Sequence, residues 1–309
     1  MKMEVSYITG GFQMDLLFLP VFIIAVGCVL DLLFGDPETP WYPVSLCGRF
    51  ASVAELLFRF QFGNGVICGA AAWFVSTSLA VWLCWFLTWL AASAHPIAGM
   101  VAAGIFFYFS ISLRDMIEIP LKIQKALLKR DLYGARFILS RFVCCNSDLL
   151  DESGIGNAAL KGIAEHLLKN WNSICFWGFA GYWIGGIPGF AAGAVFARFT
   201  AILDLCWGSL SEHYRKFGKT AARADDLIQW IPARLTVLMI VIASLPAACF
   251  PVGAIKTLIR ERKSHASPNV GPVFAALSGA APDLMKCARL ALISGLLFTL
   301  LLYGVFIWL

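Results

Sequence analysis

The stretch GYWIGGIPGFAAG, residues 181–193, decides how the chain is threaded. It sits inside an apolar run from about 173 to 199, and Gly185, Gly186, Pro188 and Gly189 break any regular helix there. The run is either one kinked span or a hairpin that returns to its starting side. Broken backbone at membrane depth is tolerated only where protein or a wet cavity covers it. The choice fixes whether the polar segment at 200–232 faces the same side as those at 35–63, 114–172 and 254–289. If the run crosses once, those three share a side and hold most of the 24 Lys and Arg, which puts them in the cytoplasm by the positive-inside rule.

Working outward, the 309 residues are 60% hydrophobic and 14% charged, with a mean hydropathy of +0.77. Soluble domains carry about 25% charged residues, so a soluble protein is excluded. A spanning helix needs about 20 mainly apolar residues. Candidates are 16–34, 65–92, 97–113, 173–199, 235–253 and 290–309, with a polar helical insert at 114–172. The expected fold is an all-α polytopic integral membrane protein. It has about five to six transmembrane helices and amphipathic helices on the cytosolic side, in a single membrane domain over 1–309. The first apolar run lacks a small-residue cleavage site and reads as a retained span. No repeat of 20–50 residues is visible. Ten cysteines are scattered without a Cys-x-x-Cys or zinc spacing; most act as small hydrophobes, and only the vicinal pair Cys144–Cys145 stands apart.

Charge clusters carry the chemistry. In DLLFGDPETPWYPVSLCGRF, residues 31–50, Asp31 still rides on the first apolar helix and Asp36 sits in a Gly-Asp-Pro turn, with Arg49 placed to pair with either. Acids at a membrane edge either snorkel and pair structurally or mark a site. The run 114–143 has apolar residues at helical period and a basic face of Lys122, Lys125, Lys129, Arg130, Arg136 and Arg141. Such a face rests on anionic headgroups or steers an anionic substrate. Asp225 and Asp226, flanked by Arg223 and Arg234, form either an interfacial salt-bridge cluster or a place for metal and phosphate. Ser267 and Asn269, in SPNVGPVFAALSGA, either cap a helix or greet an anion at its start.

These segments resemble a known family. DLLFGDP followed by YPVSLCGRF is similar to the opening signature of the CobD/CbiB family, membrane-bound adenosylcobinamide-phosphate synthases, with Tyr42 where the family has His. GARFILSRFV (134–143), KFGKTAARADDLIQWIPARLT (216–236) and SPNVG (267–271) resemble its later motifs, in order, from about residue 28 to 282. The resemblance implies formation of an amide between adenosylcobyric acid and an aminopropanol or its phosphate, with ATP and Mg²⁺, in the bacterial inner membrane. The implied partners are the corrinoid and the bilayer, not nucleic acid; the oligomeric state stays open. By the same resemblance the catalytic candidates are Asp36, Glu165, Asp225 and Asp226. The substrate-binding candidates are Asp31, Arg49, Arg136, Asp204, Arg223, Arg234, Ser267 and Asn269, with Asp225 and Asp226 as the best metal ligands.

The chain departs from the family at polar positions. Where the family reads Val-Gly-Arg-Asp-Thr, the chain has Val143-Cys144-Cys145-Asn146-Ser147. Where it reads Glu-Ser-x-Ala-Glu-Asn-x-x-Asp-Gly, Lys161 and Lys169 replace acids and only Ala164 and Glu165 match. In Ala201–Cys206 only Leu203 and Asp204 survive. A lysine in place of an acid repels a metal and attracts an anion such as a propionate or phosphate. The alternative function is therefore a catalytically degenerate relative that binds corrinoid or regulates. A transporter finds little support, because no inverted repeat is visible. The enzymatic reading expects surviving acids and arginines from distant parts of the chain, Asp36, Glu165 and Asp226 among them, to gather into a single pocket at the bilayer surface.

Overall fold

The computed structural model describes residues 18–37, 39–143, 147–209, 211–261, 267–281 and 283–308. Cys144, Cys145, Asn146 and His265 lie outside them, as do residues 16, 17 and 309 of the expected spans. The described residues form helices, turns and connecting segments, with no strand among them.

The chain runs α1 (Leu19–Phe34), α2 (Pro43–Phe62), α3 (Val66–Ala94), α4 (Pro96–Tyr108), α5 (Leu113–Leu128), α6 (Leu132–Ser140) and α7 (Glu152–Leu167). One π-helical turn (Leu168–Asn172) then leads into α8 (Ser173–Trp207), α9 (Lys219–Ile228), α10 (Trp230–Ala243), α11 (Pro251–Glu261), α12 (Val270–Ala280) and α13 (Leu284–Trp308). Local chemistry sets many of the ends. Gly35, at φ +62°, closes α1, a backbone region that disfavours side chains. Pro43 and Pro96 occupy the first turns of α2 and α4, where the missing N–H costs nothing. Asp131 and Asp151 accept from the backbone N–H of Gly134 and Gly154, each at 2.8 Å, and so start α6 and α7.

Among the described residues, four helical stretches are long and apolar enough to cross a membrane: Val66–Ala94, Pro96–Leu128, Glu152–Trp207 and Leu284–Trp308. A fifth results if α9 and α10, bent by 44°, count as one. The α1 helix is apolar but shorter. Large apolar side chains such as Phe74, Trp82, Trp89, Leu296 and Leu300 stay exposed on α3 and α13, which suits lipid rather than water. The chain is thus an all-α polytopic integral membrane protein. Helix does not fill the segment 235–253: α10 stops at Ala243, and Pro251 opens α11. Between them Ser244 bonds back to the Ile240 carbonyl at 2.7 Å, and Ala248 takes φ +54°.

The break at Gly185–Gly186 makes α8 a hairpin, because Gly186 adopts φ +60° and Gly185 leaves the helical region. A Cβ on Gly181 would lie 2.1 Å from the Gly189 carbonyl oxygen, and one on Gly189 would lie 2.1 Å from that of Gly181. A Cβ on Gly193 would meet the Trp177 carbonyl at 2.0 Å. These pairs are symmetric about residue 185, so the two arms run antiparallel in backbone contact. At about 1.5 Å per residue the arms run from Gly185 about 24 Å down to Lys169 on one side and about 28 Å down to Asp204 on the other. That is close to a hydrocarbon thickness of about 30 Å. The hairpin returns to its starting side, so 200–232 joins the level of the π-turn.

Candidate polar seam between the helix ends

At that level two groups of acids are held. The first builds on α1. Asp31 is fully buried, and its Oδ2 accepts from the Arg114 backbone N–H at 2.8 Å. Four residues on, the turn begun at Gly35 aims Asp36 back into the protein. Its Oδ1 accepts from the Tyr42 hydroxyl at 2.6 Å and its Oδ2 from the Ser112 hydroxyl at 2.6 Å. Tyr108 donates to the Gly35 carbonyl at 2.8 Å and pins the turn. Burial, and then the Asp36 charge, hold the Tyr42 phenol far above its usual range, so it remains a donor. Asp115, at the start of α5, lies within electrostatic reach of both Asp31 and Asp36. The Arg114 guanidinium turns away, to Glu118 at 2.8 Å.

The second group centres on Lys169. Its ammonium lies 2.7 Å from Asp225 Oδ2 and 3.2 Å from Asp204 Oδ2. Asp225 is buried, and its other oxygen has the Gln229 amide at 3.4 Å. Asp226, the next residue, stays within electrostatic reach of Lys169, Asp225 and Asp204. Its backbone carbonyl accepts from Asn269 Nδ2 at 2.7 Å, and Arg234 donates to Asn269 Oδ1 at 3.2 Å while stacking 4.1 Å over Trp230. Ser267 Oγ accepts from the Val270 N–H at 3.2 Å and so starts α12.

The π-turn joins the two groups. Within it, consecutive residues Lys169 and Asn170 both meet the returning arm of α8. Lys169 pairs with Asp204, and Asn170 accepts from Arg198. Asn170 also contacts His166 Nδ1 at 3.2 Å, and the His166 ring stacks on Phe142 at 4.5 Å. Arg198 and His166 both lie within electrostatic reach of Asp36. Electrostatics thus couple the α1 acids to the Arg198–Lys169 group, and the polar side chains from Asp31 to Asn269 are together termed the seam.

Of the residues singled out in the sequence, Asp31, Asp36, Asp204, Asp225, Asp226, Arg234, Ser267 and Asn269 come together along this seam. Arg223 is exposed on α9, within electrostatic reach of Asp226. Three sit apart. Glu165 is half-buried on α7 and pairs with Lys161 at 3.7 Å, so it is not gathered with Asp36 and Asp226 as the single-pocket expectation had it. Arg136 holds the Leu150 carbonyl at 2.9 Å. Arg49 is exposed on α2 and makes none of the described bonds. Sequence reasoning passed over Ser112, Tyr108, Asp115, Asn170 and Arg198. Arg198 carried a readable signal, an arginine inside an apolar arm, where ionisable groups face the protein interior. The others carried none, being common residues in amphipathic segments.

A resident Mg²⁺ does not fit Asp225 and Asp226 as they stand. Asp225 is engaged by an ammonium, and among the described residues no three His, Cys, Asp or Glu side chains converge to cage an ion.

Residues 24–284 match the family model described as CobD/Cbib protein. A cobalamin biosynthesis protein CobD of Clostridium perfringens is 34% identical over 83% of this chain and 79% of its own length. Proteins of the same name from Leptospira interrogans and Stutzerimonas stutzeri are 32% and 31% identical, over 83% and 84% of this chain and 79% and 80% of theirs. No solved structure matches. The matched segment takes in α2 to α12, most of α1 and every side chain of the seam, and the chain belongs to the CobD/Cbib protein family.

Proposed function

We propose that the chain acts in cobalamin biosynthesis, forming the amide between adenosylcobyric acid and an aminopropanol or its phosphate to give adenosylcobinamide or its phosphate. The observation that carries this reading is the extent of the match, residues 24–284, which includes both acid groups and the hairpin between them. The relatives named above bear cobalamin biosynthesis in their names. The protein would sit in the bacterial inner membrane and draw the corrinoid to the seam from the cytosolic side.

The parts suit such a condensation. Asp36, fixed by two hydroxyl donors, is an acceptor placed for the proton or N–H of an attacking amine. Arg198 and Lys169 supply the positive charge that propionate and phosphate groups need. Asp226 and Asn269, linked through backbone, would order the far end of the substrate. ATP, when bound, supplies the drive for joining acid to amine. The basic face from Lys122 to Arg141 would steer anionic substrates toward α5.

The test is direct. Purified protein receives adenosylcobyric acid, aminopropanol phosphate, ATP and Mg²⁺, and the amide is sought by mass. Product that disappears in Asp36→Ala supports the synthase. Corrinoid retained without product supports the second reading, a corrinoid-binding relative without activity, which the Lys169 ion pairs favour.

A further inference from the structure

Lys169 is the least expected group in the seam. It is a cation where carboxylates converge from two helices, Asp204 at the end of α8 and Asp225 on α9. We infer that Lys169 is a tethered cation standing where a divalent metal ion would bind between Asp204 and Asp225, so that the chain holds a latent metal site closed by its own side chain.

Three observations carry this. First, the ammonium is the principal donor to both carboxylates. Asp225 is buried and otherwise has only Gln229 at 3.4 Å. Of the nearby arginines, Arg234 is committed to the Trp230 carbonyl and Asn269, and Arg223 is exposed beside Asp226. Second, two carboxylate oxygens from different helices converge on one point, 2.7 and 3.2 Å from the Lys169 nitrogen, the ordinary range for an ammonium between carboxylates; a hard divalent ion at that point would draw them in to about 2.0–2.6 Å. Third, Lys169 and its neighbour Asn170 both lie in the π-turn and both engage the returning arm of α8, and π-turns are rare backbone choices found frequently at functional sites.

The ammonium brings one charge on a fixed stem, whereas a bound divalent ion brings two and accepts further oxygen ligands from a substrate. At this position the chain has a permanent point charge and no open coordination. The inference does not depend on the corrinoid reading, and its readout is ion binding rather than turnover.

The experiment uses the full chain in detergent, without nucleotide, titrated with Mn²⁺ while free Mn²⁺ is followed by electron paramagnetic resonance. Four proteins are compared: the wild type, Asp225→Asn, Lys169→Asp, and Lys169→Asp combined with Asp225→Asn. The wild type and Asp225→Asn are expected to bind Mn²⁺ equally weakly. Lys169→Asp is expected to gain one ion per chain, at least roughly tenfold tighter, and to unfold at higher temperature when Mn²⁺ is added. The double variant loses both gains. Lys169→Gln, which keeps length and removes charge, serves if the aspartate variant does not fold, with the same gain expected at lower affinity. Wild-type binding that weakens tenfold in Asp225→Asn would show that the ammonium does not exclude metal, and would overturn the inference. So would folded Lys169→Asp and Lys169→Gln proteins that bind Mn²⁺ no better than the wild type. Where Lys169→Asp is misfolded, Lys169→Gln decides the matter: a gain that Asp225→Asn abolishes supports the closed site, and no gain overturns it.

Discussion

The acids at the α1 end and those around Lys169 meet the same difficulty in opposite ways. A carboxylate near membrane depth must be paired or hydrogen-bonded. Asp31 and Asp36 are held by a backbone N–H and two hydroxyls, neutral donors from α5, the turn before it and the start of α2. Asp204 and Asp225 are held by one ammonium. Neutral donors leave net negative charge in the first group and so keep it receptive to a cation or an N–H. The ammonium cancels charge in the second. Within one seam, the first group stays open to ligands and the second is self-satisfied.

That contrast makes losses unequal. Removing the ammonium should cost most. Lys169→Ala strands two carboxylates, one of them buried, and a broken buried pair typically costs about 3–5 kcal/mol; thermal unfolding in detergent should fall accordingly, and an unchanged midpoint would erase the contrast. Asp31→Ala should cost less, about 1–3 kcal/mol, because it orphans backbone N–H groups at the start of α5, chiefly that of Arg114, and no charged partner, and the same thermal measurement reads it. Tyr42→Phe and Ser112→Ala each remove one donor to Asp36, at about 1.5–3 kcal/mol or less apiece. In a double-mutant cycle with Asp36→Asn each should show coupling of about 0.5 kcal/mol or more. Additive effects would mean that Asp36 is not held by these hydroxyls. The smallest effect belongs to Arg49→Ala, within about 0.5 kcal/mol of wild type; a larger loss would reveal a partner for this exposed arginine.

The residues differ in how far they could be read without coordinates. Hydropathy identified a helical membrane protein, because a chain 60% hydrophobic must satisfy its backbone internally in lipid. The glycine and proline pattern at 185–189 located the break but not its outcome, because one break serves a kink and a hairpin alike. The tight approach at Gly181 and Gly189 is what distinguishes them. Asp36 was legible as part of a turn. Its donor Ser112 was not, being 76 positions away in the chain. Glu165 matched a motif, yet it is half-buried and pairs with Lys161 one turn back on α7, because residues four apart on a helix lie on one face. A matched motif therefore aligns a residue without aiming it.

By itself the sequence determined the solvent, the helical class, the position of the chain break and the acids available for chemistry. All of these follow from local composition and from the cost of exposing polar backbone to lipid. Only the tertiary structure decided that the broken span folds back and that Lys169 closes on Asp204 and Asp225. It also decided that Arg198 and Asn170 join the two acid groups into one seam. The reason is physical: ion pairs and glycine contacts between distant segments depend on helix rotation and approach to within about an ångström, and residue order along the chain does not encode either in a readable period.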